Sequence, residues 1–177
     1  MPTARLDRSR LQITILDGAT RLPAFTCGDE DLDGFLRDDA LRLQQADVTR
    51  VYLAWYEAGL VGYAALLTDA VQLRMNDVKR LRPLTFGDSK IIPAVKLGRL
   101  GVSVPFRAQF SGCGMELVRV AANVALTIGG LAGCRLLTVD AYQRQRDDLS
   151  RRVQQLRAES GLEAARETDA PDAGLDL

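Results

Sequence analysis

Residues Gln109 to Met115, QFSGCGM, hold two glycines and no charge and lead directly into an apolar run. Gly112 and Gly114 flank Cys113, so several backbone N–H groups stand there unobstructed by side chains. A helix beginning at that point adds the positive end of its dipole. The junction is either a phosphate cradle or a plain glycine turn that opens a helix.

What the chain lacks narrows the remaining chemistry. It contains no histidine, which removes Ser–His and Cys–His nucleophilic catalysis and His-ligated metals. Cys27, Cys113 and Cys134 are isolated, odd in number and form no CxxC. Neither a disulfide framework nor a zinc site is expected, and no metal is assigned. A general base must be a carboxylate, a held water or a group on the substrate.

At 177 residues, 47% apolar and 26% charged, the chain fits one globular domain with a normal core. Its net charge is zero but uneven. GDEDLDGFLRDD (28–39) holds six acids and one arginine. From Gln72 to Arg107 stand Arg74, Lys79, Arg80, Arg82, Lys90, Lys96, Arg99 and Arg107, against Asp77 and Asp88. That middle suits a phosphorylated ligand or a nucleic acid, and equally an ordinary solvated loop. No apolar run reaches the roughly 20 residues of a bilayer span, so no membrane segment is expected. MPTARLDRSR has no apolar stretch after its charges, so no secretory signal is expected and a cytoplasmic location is the default.

Several elements must position these residues. LQITIL (11–16) reads as a strand closed by Asp17-Gly18. A helix follows from about Asp29 or Asp31, with Leu32, Phe35, Leu36 and Leu43 as its apolar stripe and acids in its first turn. Residues 49–70 read as an antiparallel hairpin turning at Glu57–Gly59. Residues 71–92 show no clear period. IIPAVKLGRLGVSV (91–104) reads as a central strand entered through a bend at Pro93. After a loop, Leu117, Val118, Ala121, Val124, Ala125 and Ile128 follow helical spacing up to Gly129-Gly130. A buried strand at Cys134–Tyr142 then completes a crossover that leaves two strands parallel.

In that context LGRLGVSVPFRAQFSGCGMELV resembles the core motif of the GNAT superfamily of acyl-CoA N-acyltransferases, Q/R-x-x-G-x-G/A between a strand and a long helix. Gln109, Gly112 and Gly114 stand at the specified positions. FTCGDEDLDGFLRDDA and RVYLAWYEAGLVGYAAL resemble a bacterial subgroup that includes the acetyltransferase toxins. The resemblance covers roughly residues 11–142. It implies an α/β fold, a mixed, mostly antiparallel sheet flanked by helices, and acetyl-CoA as co-substrate. It also implies that the backbone of Gln109, Phe110, Ser111, Gly112, Cys113, Gly114 and Met115 holds the pyrophosphate. Leu100, Gly101 and Val102 would then pair with the pantetheine arm, one N–H polarising the thioester carbonyl. The expected reaction is direct transfer of acetyl to a primary amine. The narrower alternatives are a toxin that acetylates aminoacyl-tRNA, with an antitoxin partner, and a CoA-binding module without turnover.

The chain departs from the family at three places. Ser111 stands where a basic residue is usual, and Arg107 is the expected substitute. Arg99 and Lys96 are expected as salt-bridged or rim positions. The phenol that commonly protonates the leaving thiolate has no match, since Tyr142 is the only downstream tyrosine and comes early. Tyr142 is therefore the sole candidate for that catalytic role. The closing strands of the family also lack a counterpart. The reading is thus an acyltransferase-like domain at 1–142 and an atypical helical or partly disordered tail at 143–177. An uncovered apolar sheet edge should recruit a partner, so a homodimer is expected.

Overall fold

The computed structural model describes residues 4–73 and 91–139. Five strands form the sheet: β2 (Leu11–Ile15), β3 (Arg50–Tyr56), β4 (Gly59–Gln72), β5 (Ile91–Val102) and β7 (Leu136–Val139). They lie in the order β2-β3-β4-β5-β7, antiparallel throughout except for the parallel β5–β7 pair. The expected mixed, mostly antiparallel α/β architecture is present.

Local sequence explains the hairpin. Tyr56 pairs with Gly59 across a two-residue turn in which Glu57 takes φ +55°, as tight hairpins demand. Both faces of the sheet are covered, so residues 60–66 of β4 are buried in an unbroken run rather than alternately. On one face lies α4 (Cys113–Ala132), whose Leu117, Ala121 and Ala125 pack on Ala64, Leu66, Val95 and Leu97. On the other, Phe35, Leu36 and Ala40 pack on Val51, Leu53, Leu60 and Tyr63. Burying a leucine as fully as Leu117 contributes roughly 1.5–3 kcal/mol.

The acidic helix divides into α1 (Glu30–Gly34), a wider π turn (Phe35–Asp39) and α2 (Ala40–Gln45). Asp29 caps α1, its carboxylate accepting from the N–H groups of Asp31 at 3.1 Å and Leu32 at 3.3 Å. Buried Gln44 ties α2 to the sheet, donating to the Leu16 carbonyl and accepting from the Val51 N–H at 2.8 Å.

Four expectations need correction, and one feature was not expected. The stretch before the glycines is not all loop: α3 (Val104–Gln109) forms there, with Pro105 in its first turn. α4 runs through Gly129-Gly130 and stops at Gly133, which takes φ +73°. A glycine ends a helix readily where the backbone takes a positive φ, and only Gly133 of the three does so. β7 begins at Leu136 rather than at Cys134, and its first three residues are only half-buried. At twenty residues, α4 is long and apolar enough to cross a bilayer by length and composition alone. Its apolar stripe serves the sheet instead. Lastly, the first residues take part in the fold: β1 (Ala4–Arg5) pairs in parallel with β6 (Phe110–Ser111). Tyr142, the tail and most of the basic middle lie outside the described residues.

Candidate functional site

Gln109 is the last residue of α3, and Phe110 and Ser111 form β6. Gly112 then takes φ +87°, ψ 0° as the N-cap of α4, with no side chain capping the helix. The Glu116 N–H donates to the Gly112 carbonyl at 3.1 Å. The N–H groups of Cys113, Gly114 and Met115 precede that first intrahelical bond and are the helix's orphan donors. A β-carbon placed on Gly112 would meet no atom within 4 Å, so this end of the helix opens outward. Phe110 packs its ring on Tyr56 and Phe106, and Cys113 is buried with its thiol donating to the Phe110 carbonyl at 3.5 Å. Burial pushes that thiol's pKa up. Phe110 and Cys113 therefore offer only backbone to a ligand, whereas Gln109, Ser111 and Met115 are exposed.

The loop abuts the end of β5. A β-carbon on Gly114 would lie 3.7 Å from the Val102 side chain. Ser103 N–H donates to the Val61 carbonyl at 2.8 Å, and Gly101 pairs with Tyr63. Backbone groups alternate sides along an antiparallel strand. The polar groups of Gly101 thus face β4, while those of Leu100 and Val102 face the opposite edge. On that edge, the described pairing with β7 ends at Leu97–Val139. A one-residue irregularity between Ala65–Arg99 and Leu66–Leu97 leaves Gly98 as the extra residue and turns the strand there. Gly101 serves a different purpose: a β-carbon on it would meet the Tyr63 ring at 2.6 Å and Phe25 at 3.4 Å.

Phe25 also lines a cavity of about 300 Å³ with Leu22, Leu36, Asp33 and Arg37, on the α1 side of the sheet. A second cavity, about 280 Å³, lies between Thr49, Tyr52, Leu67, Val95, Val124 and Ile128. Neither of these two cavities is lined by the Gly112 loop. Asp33 is buried in the first cavity's wall, accepting from the Thr26 hydroxyl at 2.6 Å and the Cys27 N–H at 2.8 Å. Burial and the Asp33 contact push the Cys27 thiol up to about 11, so it is no nucleophile near neutral pH.

Other charges take structural positions. Lys96 lies 3.9 Å from Asp69, whose carboxylate also accepts from Thr138 at 2.7 Å. Arg99 stacks 4.5 Å over the Phe35 ring, and its buried Nε has no hydrogen-bond partner among the described residues. Arg107 donates to the Cys27 carbonyl at 3.3 Å, committing it to the loop before α1 instead of to Ser111. Sequence reasoning missed Arg5, Arg8 and Glu116, which surround the loop: Arg5 stands opposite Ser111, and Glu116 is ion-paired to Arg8 and Arg119. The only signal available was three arginines within the first ten residues, which has no period or motif.

No family model matches the chain, and comparison with curated proteins gives no match. Solved structures do match. AtaT complexed with acetyl-methionyl-tRNAfMet shares 26% identity and a TM-score of 0.64, over 81% of this chain and 85% of the other. AtaTR bound with AcCoA gives 26% and 0.63, over 81% and 84%. A tyrosine-to-phenylalanine variant of the AtaT toxin, bound to the C-terminus of the antitoxin AtaR, gives 25% and 0.62, over 81% and 83%. With its five-stranded sheet, turned β5 and glycine-capped α4, the chain has a GNAT-like fold of the kind found in toxin acetyltransferases.

Proposed function

We propose that the chain is an acetyl-CoA-dependent N-acetyltransferase of toxin type whose acceptor is the amino group of aminoacyl-tRNA. The observation that carries this reading is the closeness of Gly114 to Val102, whose side chain lies 3.7 Å from where a β-carbon on Gly114 would stand. It sets orphan N–H groups at the start of α4 beside the outward-facing backbone of Leu100 and Val102. A diphosphate on the first and an extended pantetheine along the second fit an acyl-CoA. The likeness to AtaTR with AcCoA supports that ligand.

In the proposed step the acceptor nitrogen attacks the thioester carbonyl. A C–N bond forms, the C–S bond breaks, and CoA leaves as the thiolate while the amine loses its proton through water. An N–H of Leu100 or Val102 would stabilise the oxyanion, and positioning supplies proximity. The acceptor would enter from the opposite face, beside Phe25 and the 300 Å³ cavity.

Likeness to AtaT solved with acetyl-methionyl-tRNAfMet favours aminoacyl-tRNA over a small free amine. The basic residues between Gln72 and Arg107 agree with that choice. An antitoxin partner is proposed on the likeness to AtaT bound to AtaR. A CoA-binding module without turnover is the second reading, favoured by the lack of any tyrosine after Tyr142. Because a thiol pKa is about 8.5, the thiolate leaves without an obligatory acid, and transfer is the expected outcome. The test incubates the full chain with labelled acetyl-CoA and aminoacyl-tRNA, then looks for acetylated aminoacyl-tRNA by mass spectrometry. Transfer only to small amines would sink the tRNA acceptor. Binding with no transfer to any amine would establish the second reading.

A further inference from the structure

Two arginines from the first ten residues stand at the glycine loop, although nothing in the loop's own motif requires them. β1 runs parallel to β6 with Arg5 opposite Ser111, and the Leu6 N–H donates to the Ser111 carbonyl at 3.4 Å. Leu6 is only 4% exposed and packs in the α4-side core, so the segment is anchored at this residue. Arg5 and Arg8 remain exposed on either side of that anchor. Paired residues in register present their side chains on the same face, so Arg5 shares a face with Ser111.

Arg8 reaches the helix itself. Its Nε lies 2.9 Å from the Glu116 carboxylate, which also binds Arg119. Glu116 is buried in the first turn of α4, one residue past the orphan N–H groups. Left alone, that carboxylate would repel a phosphate at the same helix end. Two arginines on one carboxylate instead leave one net positive charge there.

We propose that Arg5 and Arg8 bind the phosphates of the nucleotide half of acetyl-CoA, the N-terminal strand delivering the cations that the loop lacks at Ser111. The inference rests on the acetyl-CoA reading above and adds residues from outside the motif. Arginine suits the task, since it forms paired, charge-assisted hydrogen bonds with phosphate. The nucleotide half carries two phosphate sources, a diphosphate and a 3′-phosphate, and the test separates them.

Calorimetry on the full chain would compare acetyl-CoA with its 3′-dephospho analogue. Arg5→Gln should weaken acetyl-CoA binding about tenfold. Arg8→Gln should do the same, and the double variant Arg8→Gln with Glu116→Gln guards against leaving a buried carboxylate short of a partner. Arg10→Gln serves as the unchanged control, because Arg10 is engaged with Glu57 and Tyr56. A loss that persists with the dephospho analogue assigns the diphosphate, and a loss that disappears assigns the 3′-phosphate. Wild-type affinity in both Arg5→Gln and Arg8→Gln would overturn the proposal while leaving the loop assignment standing. A wild-type chain that binds no acetyl-CoA would overturn both.

Discussion

Asp33 shows what one residue can do for the loop that leads into α1. Desolvation raises its pKa, but hydrogen bonds from Thr26 and Cys27 outweigh that and hold it below the ordinary carboxylate value. A depressed carboxylate stabilises the folded chain above its unfolded pKa of about 4, and that stability is lost as pH falls through the folded value. Asp33→Asn should therefore cost about 1–3 kcal/mol at neutral pH. It should also flatten the drop in Tm expected below about pH 4. Thermal melts across pH check this, and an unchanged acid limb would show that Asp33 does not link the loop to α1. Its role was not legible in the sequence, where Asp33 was one of six acids between residues 28 and 39 and one of three in a helical first turn. A helix dipole explains acids there in general, whereas the bonds to Thr26 and Cys27 depend on how the preceding loop folds back.

Among the elements, the strands of the hairpin and β5 were readable as long apolar runs bounded by turn residues, and α4 by its helical stripe. Six-residue α3 and two-residue β1 have no period, and β1 pairs with β6 only through tertiary closeness, which no local pattern records. Glycines divide in the same way. Gly62 looks like any strand glycine, yet a β-carbon there would meet the Gly101 carbonyl at 2.3 Å, a backbone atom that cannot step aside. Gly130 looks like a helix stop, yet it is helical and open, with nothing within 4 Å. Gly62→Ala should thus lower Tm sharply or prevent folding. Gly130→Ala should raise stability by roughly 0.5–1 kcal/mol, as alanine does in a helix interior. Equal melting temperatures for the two variants would contradict the assigned contact between β4 and β5.

At the scale of the molecule, β7 is the edge strand of the described sheet, with Val139 59% exposed. An exposed apolar edge favours pairing with a second copy, so a dimer is expected in light scattering at tens of micromolar, and a monomer there would remove it. The central claim concerns the other end of β5, where α4 begins. The motif was legible because glycines and a helical stripe are local features; the placement of Gly114 against Val102 follows from the sheet and could be seen only in three dimensions. Calorimetry of acetyl-CoA binding to the wild type and to Gly112→Trp tests that placement most directly, with circular dichroism to establish that the variant is folded. Gly112 opens outward at φ +87°, so an indole there would both strain the cap and cover the N–H groups of Cys113 to Met115. The wild type is expected to bind and the folded variant to lose binding, whereas equal affinity in the two would place the phosphates elsewhere.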